Sequence, residues 1–157
     1  MALTKINNNT LSAITGLPAG VGGKVLQVVT GTLASETTTT SSSYIDTGLD
    51  VLITPTSSSS KIFVTSSIST FNGGSGVTMY WTLYKNSSNL SNASGFFSTY
   101  NAGGASGSSG ALNFLDSPST TSQIEYSVYM KVAGNTGYIS IHNATSTITV
   151  MEIAGWL

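Results

Sequence analysis

Apolar and polar side chains alternate, residue by residue, through several segments of this chain, and the alternation constrains the fold more than any other feature. In the clearest segment the two sets are Val77, Met79, Trp81 and Leu83 against Thr78, Tyr80, Thr82 and Tyr84. A period of two is typical of a β-strand whose two faces meet different surroundings. Both sets contain bulky side chains, so we expect both faces of this strand to be at least partly covered.

A second segment, 124–132, repeats the pattern and predicts another strand with one apolar face. Its inward row consists of Ile124, Tyr126, Val128, Met130 and Val132, and its outward row of Glu125, Ser127, Tyr129 and Lys131. About a third of the chain is Ser or Thr and only 7% is charged. A disordered Ser/Thr-rich tract would lack the alternation, so the pattern predicts a folded β protein with a weakly charged surface.

Nine or ten strands at short spacing, with no helical period, predict an all-β fold, an antiparallel β-sandwich of jelly-roll type. The expected strands fall at 24–29, 44–46, 49–53, 61–71, 77–84, 95–100, 111–115, 123–132, 137–142 and 147–153. The polar segments 35–43 and 103–110 are predicted to be loops. The second consists mainly of Gly and Ser, whose small side chains contribute little to a packed core. The length of 157 residues is that of a single domain with a real core.

The first 23 residues differ from the rest and are predicted to form an extended arm and linker, with the sandwich domain at 24–157. Five apolar side chains are spaced irregularly along this arm: Leu3, Ile6, Leu11, Ile14 and Leu17. The Asn run at 7–9 disfavours a helix, and Pro18 with three nearby Gly is typical of a linker. An arm too short to fold alone needs a partner surface that covers such side chains.

Ionisable side chains are too few and too scattered to indicate a charged ligand or a metal. The formal net charge is −1, and five Lys with no Arg cannot neutralise the phosphates of a nucleic acid. There is no Cys, and the single imidazole, His142, falls on an expected strand, where a structural role is the commoner one. Asp46 and Asp50 lack the ligand spacing of a calcium loop. We expect no cofactor, no signal peptide and no membrane-spanning segment.

Two acids on expected strands, Glu125 and Glu152, could face one another as the carboxylate pair of a glycoside hydrolase. The alternative, which we favour, is that both are solvated and pair with Lys131 or Lys61. Because Ser occurs throughout the chain, a match to a Ser-His-Asp triad carries no information. The chain is therefore predicted to be a structural or binding protein and not an enzyme. Its weak net charge gives little protection against self-association, which favours permanent assembly.

Aromatic residues are concentrated in the middle of the chain and form a candidate ligand surface: Tyr80, Trp81, Tyr84, Phe96, Phe97 and Tyr100. Flat rings can stack on sugars, and Tyr80, Tyr84 and Tyr100 are the candidates for a glycan contact. Packing in the core or between subunits is the alternative, and we favour it as the commoner use of aromatic side chains.

Several segments resemble those of small bacteriophage virion proteins, especially of marine and cyanobacterial phages. Residues 1–6 resemble the start of tail-fibre and decoration proteins, and residues 23–29 resemble their first strand. Further similar segments lie at 53–62, 115–118 and 146–153. The resemblance implies a β-sandwich module that assembles as a trimer and attaches through its N-terminal segment.

A compact attachment arm joined to one β domain leads us to expect a homotrimeric head decoration, or cement, protein on the outer surface of a phage head. In that role the five apolar arm residues would contact the major capsid protein or sister subunits, and neither nucleic acid nor membrane would be a partner. The alternative is a tail-fibre or receptor-binding tip protein that attaches to a host surface glycan.

Overall fold

Eleven β-strands, each antiparallel to its neighbours, account for most of residues 24–155, the part of the chain that the computed structural model describes. They are β1 Val25–Leu33, β2 Thr37–Thr39, β3 Ile45–Ile53, β4 Lys61–Asn72, β5 Val77–Lys85, β6 Ser88–Asn89, β7 Phe97–Asn101, β8 Ser106–Asp116, β9 Ile124–Ala133, β10 Gly137–Ile139 and β11 Ser146–Ile153. A single 3₁₀ turn, Ile141–Asn143, precedes the last strand.

The strands form two sheets with four positions each. Sheet A has the order β1, β11, β4, β8, and the short β2 and β10 continue the positions of β1 and β11. Sheet B has the order β3, β9, β5, with β6 and β7 sharing the fourth position beside β5. Along the chain, most connections between the long strands cross from one sheet to the other. This is the strand order of a jelly roll, so the predicted all-β sandwich is confirmed.

The inward-facing rows of the two sheets form one hydrophobic core. Sheet B contributes the rows predicted at 77–83 and 124–132, and every apolar member of both rows is at most 2% exposed. Sheet A contributes a facing row that includes Ile62, Val64, Leu112, Ile148 and Val150. Within the core, Trp81 stacks on Phe97 with ring centroids 5.9 Å apart. Both predicted inward rows are confirmed.

The outer face of β5 is also covered, as the bulk of its side chains predicts. Thr82 is fully buried there and donates a hydrogen bond from Oγ1 to Asn89 Oδ1 at 2.6 Å. Its neighbours Tyr80 and Tyr84 are half-buried. The cover comes from the segment after β5, which folds back along the edge of sheet B.

The predicted loop 103–110 is wrong for its second half. Residues 106–110 belong to β8 and pair with the end of β4, from Ser106 opposite Asn72 to Gly110 opposite Ile68. Ser and Gly have low strand propensity, but the free edge of a long neighbouring strand supplies a ladder of backbone hydrogen bonds. Gly110 also leaves room for Phe97, because a Cβ built on this glycine would overlap the aromatic ring.

Other boundaries differ from the prediction as well. The strand expected at 137–142 ends at Ile139, and His142 lies exposed in the 3₁₀ turn with a φ of 55°. The segments expected at 44–46 and 49–53 form one strand, β3, interrupted by a bulge between Asp46 and Leu49. In the bulge, Thr47 Oγ1 donates to the carbonyl oxygen of Val128 at 2.7 Å, which ties β3 to β9.

The predicted arm lies outside the described residues. This holds for Leu3, Ile6, Leu11, Ile14 and Leu17, whose contacts therefore stay predictions. No helix within residues 24–155 has the length and apolar character needed to cross a bilayer.

Candidate functional site

Tyrosines gather on the outer face of sheet B, and we call this surface the tyrosine face: Tyr44, Tyr80, Tyr84, Tyr100 and Tyr129. Strand alternation directs the side chains of β5 and β9 outward at every second position. Tyr129 lies opposite Thr82, so it is a diagonal neighbour of Tyr84. The rings of Tyr84 and Tyr129 stack with centroids 3.9 Å apart and planes inclined by 18°.

A lysine occupies the centre of the next row on this face. Lys131 lies opposite Tyr80, and its Nζ is 5.0 Å from the centroid of that ring and 4.6 Å from the centroid of Tyr44. The same Nζ donates a hydrogen bond to the carbonyl oxygen of Ala93 at 2.6 Å. A cation between two aromatic faces is held by the ring quadrupoles. Lys131 is thus fixed within the tyrosine face and does not pair with an acid.

Two phenols of the tyrosine face are held in their neutral form. Burial raises the pKa of Tyr44, and the neighbouring Tyr84 and Tyr80 raise it further. Burial also raises the pKa of Tyr129, with an added contribution from the negative charge of Asp46. These hydroxyls therefore stay protonated to higher pH than a free phenol does.

The structure places all three aromatics that the sequence suggested for a glycan on this one face. Tyr100 lies opposite Thr78 and Tyr80 opposite Ser98, so the two tyrosines are one row apart on adjacent strands. Tyr100 is 67% exposed. Tyr80 and Tyr84 are instead engaged with Lys131 and Tyr129. Their proposed contact with a ligand or a subunit stays a prediction.

Within the described residues, an ion pair joins the two sheets at one end of the sandwich. Lys85 Nζ on β5 lies 3.0 Å from Asp116 Oδ2 on β8. Tyr126 on β9 donates its hydroxyl to the same oxygen at 2.7 Å, and the Ser117 N–H donates to Asp116 Oδ1 at 2.8 Å. Burial and the nearby carboxylate hold the pKa of Tyr126 far above its ordinary range. This cluster fastens β8 to sheet B.

A second carboxylate, Glu152, is completely buried at the end of sheet A where β1 begins. Gln27 Nε2 donates to Oε2 at 2.6 Å, while the N–H and Oγ1 of Thr56 donate to Oε1 at 2.7 and 2.8 Å. Burial alone would raise the pKa of this carboxyl. The donor groups around the carboxylate, among them those of Gln27 and Thr56, outweigh burial and lower the pKa of Glu152 to about 2.

The carboxylate pair considered from the sequence does not form. Glu125 points outward from sheet B and accepts a hydrogen bond from Ser127 Oγ at 3.1 Å, whereas Glu152 points inward from sheet A. The favoured alternative is also wrong, because Glu152 is buried and Lys61 Nζ donates to Ser117 Oγ at 2.7 Å. A fully buried acid among neutral donors has no sequence signal, since its partners come from distant segments.

Metal ligands do not cluster in residues 24–155, where no group of three or more His, Asp or Glu side chains could hold an ion. Asp46 and Asp50 are exposed on β3, and Asp46 Oδ1 accepts a hydrogen bond from the Gly48 N–H in the bulge at 2.9 Å. An open depression between β4 and the end of β8 is lined by Lys61 and five Ser hydroxyls. Because no aliphatic or aromatic side chain lines it, the depression lacks the character of a small-molecule pocket.

The outer face of sheet A carries a row of four apolar side chains, which we call the apolar row. The register places Val28, Met151, Phe63 and Leu115 side by side across β1, β11, β4 and β8. Val28 and Leu115, at its two ends, are 54% and 55% exposed. Sequence analysis missed this surface because its members are far apart in the chain and only the strand register brings them together.

Comparisons with known proteins find distant structural likenesses among solved structures. No protein-family model matches the chain, and no relative was found among curated proteins. Among solved structures, the chain is similar to the infectious bursal disease virus VP2 of a subviral particle, with a TM-score of 0.44 and 8% sequence identity. The match covers 84% of this chain, which spans 39% of the length of that VP2 chain.

Proposed function

We propose that this protein is a non-enzymatic structural component of a virion, a homotrimeric decoration protein that binds and stabilises the outside of a phage head. The observation that carries the proposal is the apolar row, because contiguous apolar side chains on a surface, here exposed at both ends and partly buried at Met151 and Phe63, are typical of a protein contact. A protein partner would cover its exposed ends, Val28 and Leu115. The near-zero net charge favours the same permanent assembly.

The ionisable side chains of the described part support a structural role. Asp116 and Lys85 join the two sheets, Glu152 fixes the start of β1 to β11, and Lys131 is held between two tyrosine rings. Each of these groups is bound to other residues of the sandwich. A catalytic carboxyl or amine must be accessible to a substrate, and these groups offer a substrate little access.

The fold and the sequence resemblance support the virion setting. Jelly rolls serve as viral capsid domains, among other uses. Residues 1–6 and 23–29 resemble the start and the first strand of phage decoration and fibre proteins, and residues 25–29 form the first part of β1. In this proposal the sandwich sits on the capsid exterior, and the N-terminal segment contacts either the capsid or the sister subunits.

A second candidate function, a tail-fibre or receptor-binding tip, is favoured by the tyrosine face. Tyr100 offers an exposed ring beside the half-buried Tyr80, and exposed aromatic rings can stack on sugars. In this setting the protein would bind a host surface glycan through sheet B.

The copy number in purified virions separates the two candidates. Quantitative mass spectrometry, with the major capsid protein as internal standard, should find hundreds of copies per particle for a head decoration protein. A few copies, or a few tens, would favour the tail candidate, and absence from the particle would contradict both. Glycan-array binding that is lost in Tyr100→Ala would further support the tail candidate.

A further inference from the structure

The apolar row lies at the end of sheet A where β1 begins, and it is bordered there by further apolar side chains. Val25, 50% exposed, lies opposite Ile153 in the adjacent row. Four strands spaced about 4.8 Å apart make the row a strip about 14 Å long across the sheet. This length fits an extended segment of about four or five residues laid across the strands.

Polar residues limit the strip on its other side. The next row toward the centre of the sheet consists of Thr30, Thr149, Thr65 and Asn113. Lys61, in the row that borders the strip on the side of Val25 and Ile153, directs its Nζ to Ser117. The surface is therefore narrow, apolar and without a charge to match, which suits an apolar and nearly uncharged partner.

The N-terminal arm has this chemistry and joins the sandwich beside the strip. Residues 1–23 contain five Leu and Ile side chains and a single charged side chain, Lys5. They connect at Lys24, directly before Val25. Each Leu or Ile moved out of water onto such a surface contributes about 1.5–3 kcal/mol when fully buried.

The direction of β1 favours the arm of another copy over the arm of the same copy. β1 begins at the strip and runs away from it toward Leu33, so a straight continuation before Lys24 leads beyond the end of the sheet. To cover its own strip the arm would have to reverse within residues 18–23. An extended segment of 23 residues reaches up to about 75 Å, several times the radius of gyration of about 15 Å for a domain of this length.

We propose that the arm of one copy, through a short stretch that includes Ile14, lies across the apolar row of a second copy, so that the arms exchange between subunits. This rests on the proposed function in so far as that function requires a trimer. The contact is head-to-tail, with a different surface on each partner. Such a contact closes into a ring of three when successive copies are rotated by about 120°.

Cysteine crosslinking tests the contact directly, because the full chain has no Cys of its own. Ile14→Cys and Leu115→Cys chains are prepared separately, mixed, dissociated and reassembled, and then oxidised. Leu52→Cys replaces Leu115→Cys in the control, since Leu52 is similarly exposed at 47% but lies on β3 of sheet B. The proposal expects an inter-chain disulfide between positions 14 and 115, and none between positions 14 and 52.

Association measurements supply the second readout. Leu115→Thr should raise the dissociation constant of the oligomer about ten- to a hundredfold, the effect of losing one buried Leu. Leu52→Thr should leave it unchanged. Circular dichroism of both variants checks that the sandwich remains folded.

The proposal is overturned if a chain carrying both Ile14→Cys and Leu115→Cys crosslinks only within itself, since the arm would then cover its own strip. It is also overturned if position 14 reacts equally with positions 115 and 52, or if Leu115→Thr associates like the parent. Copy number in virions is measured separately. Arm exchange without virion incorporation would refute the proposed function alone, and incorporation without arm exchange would refute this inference alone.

Discussion

Replacing Glu152 by Gln should destabilise the sandwich by about 2–4 kcal/mol. The carboxylate accepts hydrogen bonds from Gln27 Nε2 and from the N–H and Oγ1 of Thr56. An amide keeps one acceptor oxygen and turns its other end into a donor, so at least one of these partners would face an NH₂ group. Each hydrogen bond to a charged group contributes about 1.5–3 kcal/mol, and an unsatisfied buried donor costs about 1–3 kcal/mol.

The same carboxylate should make the stability sensitive to acid. Its pKa of about 2 in the folded protein lies below the ordinary value of 4.5, so the unfolded chain takes up this proton more readily than the folded one. The stabilisation is therefore fully present above pH 4.5 and is lost as the pH falls toward 2. The variant Glu152→Gln should lack this part of the acid sensitivity.

Urea unfolding followed by circular dichroism, at neutral pH and in steps down to pH 2, measures both effects. Glu125→Gln is the matched control, because that carboxylate lies on the outer face of sheet B and accepts a single hydrogen bond, from Ser127. It should change the free energy of unfolding by no more than about 1 kcal/mol. The reasoning would be refuted if the Glu152→Gln variant were as stable as the parent at neutral pH. It would also be refuted if the variant lost stability in acid as steeply as the parent does.

Three further predictions concern the core, a crowded glycine and the arm. Trp81→Ala should cost about 3–5 kcal/mol, because the ring is fully buried, and an unchanged melting temperature would contradict this. Gly110→Ala should cost about 1–3 kcal/mol through overlap with Phe97, whereas Gly103→Ala, which meets open space, should be neutral in the same thermal melts. Deletion of residues 1–20 should leave a folded β domain that no longer forms oligomers or loads onto bare heads, and unchanged oligomeric state and occupancy would show that the arm is dispensable.

The sequence predicts the strands whose two faces differ most. Alternation located the buried rows around Trp81 and Val128 because each inward position is apolar and each outward one carries a polar group. It failed for residues 106–110, which form a strand because β4 offers a partner and not because of their own composition. The 3₁₀ turn around His142 was missed for a related reason, since its left-handed backbone angles leave no pattern in the side chains.

Contacts between distant segments could not be predicted from one sequence. The apolar row exists only because the register aligns Val28 with Met151, and Phe63 with Leu115. The buried Glu152 likewise depends on Gln27, 125 residues earlier, and on Thr56, 96 residues earlier. The tyrosine face lies between these cases, because alternation sets which side of its strand each ring occupies but not which rings meet.

The pairing of the first strand with the last has a consequence for how the protein folds. β1 cannot take its place in sheet A until β11 has been synthesised, more than a hundred residues later. The long loop between β1 and β11 must close, at a cost in chain entropy, before the contacts between the two strands can form. Folding is therefore slow, as expected for a topology of high contact order. During translation the arm and β1 therefore remain open to other nascent chains. Subunits made close together on one message could exchange arms before each sandwich closes.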